Sequence, residues 1–342
     1  MREGRLGESI GRVLQLLLLA LLTACQRQEG AAAHRALGGG AGADTEGPLV
    51  VFAAGSLARP MRAALDSFAL HTGRTYTLES AGSLELARKM TDLNRRADVV
   101  ALADEDVFPR FLMPSHVRWY ARFARNQMVL AYASKARAPA DIANWTTVLT
   151  RPGVDVGRSD PDLDPAGYRT LLLFQLAEQH YKQPGLARRL ERNAARRNIR
   201  PKSAELVAML QAGELDYAWM YESSARAARL PFIPMPDEIN LGREDMAGRY
   251  HVASVRVLGA TIGETLEVRG APIRYGLSVP SHTEHRAASE SFLAYLLSDA
   301  GRRALAAEYL DASVAPVVVG DSIPTALKAL LTQASRPDSS HE

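Results

Sequence analysis

The stretch PLVVFAAGSLARPMRAALDSFALHTGRTYTLESAGSLELARKMTDL, residues 48–93, decides the fold class. Leu49 to Ala53 is a short apolar run that stops at Gly55-Ser56. Apolar residues then recur three and four apart through ARPMRAALDSFALHTG, the spacing of one helix face, up to Gly73. TYTLESAGS repeats the pattern, an extended run ending at Gly82-Ser83, and the helical LELARKMTDL follows it. ADVVALAD (97–104) predicts a third buried strand. Strand, Gly-Ser, helix, twice over, predicts parallel βαβ units and an α/β fold. In such sheets ligands bind beyond the carboxyl ends of the strands. Ser56 and Ser83 lie at two of those ends, each just before a helix.

Further along, NQMVLAYA (126–133) reads as a strand and VDVGRSDPDLDPAGYRTLLLFQLAEQHY (154–181) as strand, loop and helix. LDYAWMY (215–221) is a buried strand that ends at Tyr221. LPFIPMPDEINLG (230–242) is extended and proline-rich, and places Asp237 and Glu238 before Ile239. APIRYGLSVP (271–280) is a strand, a helical stretch follows, and ASVAPVVVG (312–320) closes the folded part. Two α/β lobes are expected. The first comprises 48–124 with a return over 272–325, and the second comprises 125–271.

Both ends read differently from the middle. Residues 1–24 have an arginine-bearing start and an apolar run from Val13 to Leu22, the layout of a secretory signal peptide. That run is too short for a permanent span, which needs roughly 20 apolar residues. Leu22-Thr23-Ala24-Cys25 resembles the bacterial lipobox, which makes Cys25 the expected lipid-modified residue. Cys25 is the only cysteine, so an intramolecular disulfide framework is excluded. Residues 25–47 read as a lipoprotein tether and 326–342 as a disordered tail. The formal net charge is +3, and the one basic cluster, RRLERNAARRNIR (188–200), reads as a solvated helix face. Nucleic acid is therefore not an expected partner.

Catalytic patterns are missing. Ser56 sits in AAGSL, which is not the GxSxG elbow. The eight histidines are scattered, and neither a Walker loop nor GxGxxG is present. The expectation is a protein that binds rather than an enzyme. Short polar groups converge at strand ends from both lobes: Ser56, Ser83, Asp164, the Ala166 N–H, Tyr221 and Glu238. No arginine is among them, and hydroxyl and helix-start dipoles alone can hold a dianion. Asp160, Asp162 and Asp164 crowd the helix start at Pro165-Ala166-Gly167. Capping and turn chemistry explains aspartates there, and so does a ligand that wants carboxylate.

From about Pro48 to Gly320 the chain resembles the periplasmic substrate-binding proteins of molybdate/tungstate ABC transporters. The resemblance rests on VFAAGSL, GSLELARKMTDLNRRADVVALAD, WYARFARNQMVLAY, SDPDLDPAGYRTLL, GELDYAWMYESSA and MPDEINLG, in that order. It implies a two-lobed periplasmic binding protein fold with a hinge and an interlobe ligand cleft. It implies that Ser56, Ser83, the Ala166 backbone and Tyr221 bind oxyanion oxygens. In the tungstate branch, Asp164 and Glu238 would approach the metal itself, with Asp164 chosen over Asp160 and Asp162 because it directly precedes Pro165. Glu222 departs from the pattern, which calls for a basic or neutral residue there.

The resemblance also implies a monomer anchored by lipid in the periplasm, delivering molybdate or tungstate to an ABC permease without any further cofactor. Carboxylates repel a dianion strongly where water is excluded. Hexavalent Mo or W can expand from four to six oxygens and so accept them, whereas sulfur cannot. Alternatives are a phosphate- or sulfate-type oxyanion-binding protein and, from another class, a lipoprotein hydrolase.

Overall fold

The computed structural model describes residues 47–328 apart from 262 and 326. The expected signal peptide, Cys25, nearly all of the tether and most of the tail lie outside the described residues. The chain opens with β1 (Leu49–Ala54), α1 (Ala58–Thr72), β2 (Tyr76–Ala81), α2 (Ser83–Thr91), β3 (Val99–Leu102) and β4 (Trp119–Asn126). It continues through β5 (Met128–Tyr132), β6 (Val156–Ser159), α3 (Pro165–His180), α4 (Leu186–Asn193), β7 (Ile199–Arg200), α5 (Ser203–Ala212), β8 (Tyr217–Tyr221), α6 (Glu222–Ala227) and β9 (Phe232–Pro234). A hairpin, β10 (Ser254–Leu258) and β11 (Thr265–Arg269), leads to β12 (Ile273–Ser278), α7 (Arg286–Leu297), α8 (Asp299–Ala307) and β13 (Val317–Gly320).

Two main sheets result. The six-stranded sheet has the order β13-β4-β12-β3-β1-β2, and the five-stranded sheet β7-β6-β8-β5-β9. β1 runs parallel to β2 and β3, with Val51 opposite both Leu78 and Val99. β12 runs antiparallel between β3 and β4. In the second sheet β6 is parallel to β7 and β8, while β5 is antiparallel to β8 and β9. β1 is buried at all positions but Val50, as a strand covered on both faces should be. α1 turns Met61, Ala64, Leu65 and Phe68 inward, and Phe68 meets Phe292 of α7 edge-on at 5.3 Å. The helix stops at Gly73, whose left-handed φ of +74° glycine adopts without strain and which lets its N–H reach the Ala69 carbonyl.

The chain crosses between sheets at Gln127, from β4 into β5. It returns through 235–241 and the hairpin into β12, where the Ile273 N–H donates to the Leu241 carbonyl at 2.8 Å. Two elements differ from the sequence reading. The strand expected from residue 126 is preceded by β4, whose alternation is masked by Arg122 and Arg125. Those charges are paired with Glu105 and Asp311. The hairpin at 254–269 was not predicted; its arginines and glutamates face outward and weaken its apolar signal. Among the described residues no helix is long and apolar enough to cross a membrane.

Candidate functional site

The carboxyl ends of β1, β2, β3, β6 and β8 meet between the two sheets, and five of the six singled-out positions lie there. Ser83 opens α2 and is fully buried; its Oγ accepts from the Ala103 N–H, just past β3, at 2.9 Å. Ser56 lies in the turn after β1, and its Oγ accepts from the Tyr275 hydroxyl at 3.0 Å. Tyr221 ends β8 and is fully buried, with its ring 5.9 Å from that of Tyr275. Its Oη accepts from Arg169 Nη1 at 2.6 Å. Each of these three hydroxyls therefore has an oxygen lone pair already engaged by a protein donor. A hydroxyl has one hydrogen and two lone pairs, so each keeps its proton to donate.

Arg169 was missed in the sequence, and it adds a charged group to the hydroxyls and helix-start dipoles singled out there. It sits in the second turn of α3 and is only 4% exposed. Besides Tyr221, Nη1 donates to the Ala103 carbonyl at 2.6 Å, and Nη2 lies 3.2 Å from Asp104 Oδ2. The guanidinium lies 5.7 Å from the ring centres of both Tyr168 and Tyr221. Burial works against its charge, and the oxygens of Tyr221, Asp104 and Tyr168 outweigh that and hold it protonated. The Tyr168 hydroxyl donates to the same Asp104 oxygen. Burial likewise pushes the Tyr221 phenol well above its ordinary range, so it stays a donor. The signal that points to Arg169 is an arginine one turn after Pro165, at the head of an otherwise apolar helix.

The three aspartates have three different partners. Asp160 accepts from the Asp162 N–H at 2.9 Å and closes the turn. Asp162 accepts from the Leu258 N–H at 2.8 Å, which docks the β10–β11 hairpin onto the loop. Asp164 caps α3: Oδ1 accepts from the Ala166 N–H at 3.0 Å and Oδ2 from the Ser203 N–H at 3.1 Å. Burial pushes the Asp164 carboxyl above the usual range, against the pull of these N–H bonds. Each carboxylate oxygen keeps a second lone-pair direction after one such bond. The Ala166 N–H thus points to Asp164 in this structure, and the helix-start N–H groups of Leu84 and Glu85 both donate to the Leu163 carbonyl. A Cβ at Gly82 would stand 2.1 Å from that same carbonyl oxygen, so the approach of loop 160–164 to α2 requires glycine. Arg88 of α2 clamps the same junction, donating to the Asp162 and Leu258 carbonyls at 2.6 and 2.7 Å.

Glu238 stands apart. It is half-buried in the loop after β9, its carbonyl accepts from Arg249 Nε at 3.2 Å, and among the described residues no hydrogen bond or ion pair links its carboxylate to the Asp164–Arg169–Tyr221 cluster. Glu222 pairs with Arg226 and accepts from the Gln127 amide, so it faces the crossing between sheets rather than the hydroxyls. Several cavities flank the cluster. One of about 30 Å³ is lined by Asp104, Tyr168 and Arg169, and one of about 260 Å³ by Ser56 and Ser223. The hydroxyls of Ser56 and Ser83 are engaged by a tyrosine and a backbone N–H respectively.

Chemically the arrangement is a buried set of donors with one fixed cation, suited to a small oxyanion. The molybdate/tungstate-binding protein WtpA of Thermococcus kodakarensis is 31% identical to this chain, over 84% of this chain and 88% of the relative. A putative ABC transporter molybdenum-binding protein of Haloferax volcanii is 36% identical, over 83% and 89%. Among solved structures, the periplasmic molybdate-binding protein of Azotobacter vinelandii superposes with a TM-score of 0.54 at 17% identity, over 77% of this chain and 98% of that one. It shares the two-lobed periplasmic binding fold. The family model for bacterial extracellular solute-binding proteins matches residues 49–309, from β1 through α8, and the chain belongs to that family.

Proposed function

We propose that this protein captures molybdate or tungstate between its lobes outside the cytoplasm and delivers it to an ABC permease. The observation that carries the reading is the set of three strand-end hydroxyls, Ser56, Ser83 and Tyr221, each held as a donor by a protein partner. Arg169 supplies one fixed positive charge beside them, and Asp104 offsets part of it. Asp164 is the carboxylate that lies in the cluster and would approach the metal of the bound anion. The corresponding role of Glu238 is supported by the resemblance of MPDEINLG alone. The Ala166 N–H serves the ligand through Asp164, which it holds in place. A titration of the purified chain with tungstate, molybdate, sulfate and phosphate tests the reading.

The division into lobes 48–124 with 272–325 and 125–271 is part of the same proposal, with the hinge at the crossing by Gln127. So is export by residues 1–24 and acylation of Cys25, the chain acting as a monomer. Acylation gives a direct prediction. Cys25→Ser should move the protein from the membrane fraction to the soluble fraction while leaving tungstate affinity unchanged. Unaltered membrane fractionation of that variant removes the lipid anchor from the account.

A further inference from the structure

Asn126 is the last residue of β4, directly before the chain crosses to the second sheet, and is 8% exposed. The orientation of its amide is fixed by groups that can only donate. The Gln127 backbone N–H donates to Oδ1 at 3.0 Å, and the Ser223 backbone N–H reaches the same oxygen at 3.4 Å. Nδ2 must therefore be the nitrogen, with two hydrogens to give. One goes to Ser223 Oγ at 2.7 Å and the other to Tyr275 Oη at 3.1 Å. Tyr275 belongs to the first sheet and Ser223 to the helix after β8 of the second. Both are almost fully buried.

The consequence runs on to the ligand. Tyr275 accepts from Asn126, so its own proton goes to Ser56 Oγ at 3.0 Å. Ser56 accepts from Tyr275, so its proton is left for the cleft. With its ring buried, the Tyr275 phenol stays protonated and the direction of the chain does not reverse. The start of the chain is the backbone N–H at the crossing between sheets, and the amide is held from the second lobe as well by Ser223.

We infer that Asn126 is a positioning residue that, acting through Tyr275, sets Ser56 as a hydrogen-bond donor to the bound oxyanion and ties that setting to the arrangement of the lobes. The inference rests on the reading of the site as an oxyanion site. Without the amide the Tyr275 oxygen is free to accept from Ser56, which draws the Ser56 proton away and turns a lone pair toward the anion. A lone pair there repels where a hydrogen attracts.

The test is a double-mutant cycle read by titration with sodium tungstate, using the full chain. Tyr275→Phe removes one hydroxyl and keeps the ring, and Asn126→Ala removes the amide. Each should weaken tungstate binding measurably, by up to about ten-fold, because Ser56 keeps its hydroxyl but loses the chain that fixes its direction. In a Ser56→Ala background both substitutions should become nearly silent, because the hydroxyl they orient is gone. Asn126→Ala should likewise add little to Tyr275→Phe. Damage through folding would instead weaken binding equally in every background, and that result overturns the inference. So does tungstate binding that Tyr275→Phe leaves intact, even if Asn126→Ala fails to fold. Failure of the underlying reading looks different: the unsubstituted chain binds no tungstate at all.

Discussion

Replacing Arg169 by methionine should cost this protein about 3–5 kcal/mol of stability and at least ten-fold in tungstate affinity. The first effect follows from Asp104. Asp104 is 8% exposed and its carboxylate faces the Arg169 guanidinium at 3.2 Å, so removal of the cation leaves a buried charge with neutral partners only. The second follows from Tyr221, which loses the Nη1 donor that turns its proton toward the anion. Arg169→Lys separates the two effects. It keeps the charge but cannot reach the Ala103 carbonyl, Tyr221 and Asp104 together, which takes a planar fork. Stability should recover most of its loss in the lysine variant, and affinity should recover less. Urea unfolding of the ligand-free chain reads the first quantity and titration the second. Unchanged affinity in Arg169→Met would remove Arg169 from the ligand's surroundings.

The second large effect concerns selectivity. Glu238→Gln and Asp164→Asn keep size and remove charge. If both carboxylates ligate the metal, tungstate affinity should fall ten-fold or more in each, while sulfate binding stays level or improves because a repelling charge is gone. Asp164→Asn should not unfold the chain. Asparagine keeps the bond from the Ala166 N–H as well as aspartate does, but it turns an NH2 toward the buried Ser203 N–H, a loss of about 1–3 kcal/mol. Burial also holds the Asp164 carboxyl above its ordinary 3.8, so keeping it ionised costs stability. That cost grows as pH rises from 3.8 through the raised value and persists above it. The asparagine variant is free of it, so the gap in stability between variant and unsubstituted chain should shift in the variant's favour as pH rises through that window. Equal loss of tungstate and sulfate binding would show that the carboxylates act through folding. Glu238 is the sharper case, since its carboxylate lies outside the cluster in this structure and must come to the ligand.

The parts of the fold that were legible in the sequence are those with uninterrupted apolar runs. β1, β3 and β8 are buried on both faces and read as strands directly. Gly-Ser at two strand ends placed Ser56 and Ser83, and Asp-Pro-Ala-Gly placed the cap of α3. β4 was not legible because Arg122 and Arg125 are neutralised by partners from elsewhere in the chain, Glu105 and Asp311, and the 254–269 hairpin because its outward-facing arginines and glutamates weaken the apolar signal. Arg169 was hidden for a related reason. An arginine on a helix reads as surface until the partners that bury it are known, and Asp104 and Ala103 come from the turn just past β3. The three aspartates were legible as a cluster but not as individuals. Only the structure shows Asp162 receiving the hairpin and Asp164 receiving Ala166 and Ser203. The orientation of the Asn126 amide is beyond any sequence pattern, because it depends on which neighbours can only donate.

The most direct measurement is competitive calorimetry on the purified chain. Tungstate and molybdate should each bind at one site per chain, and about a hundred-fold excess of sulfate or phosphate should fail to displace them, a margin of two factors of ten. Displacement of tungstate by phosphate or sulfate at similar concentration, or no binding of any of the four anions, would contradict the account.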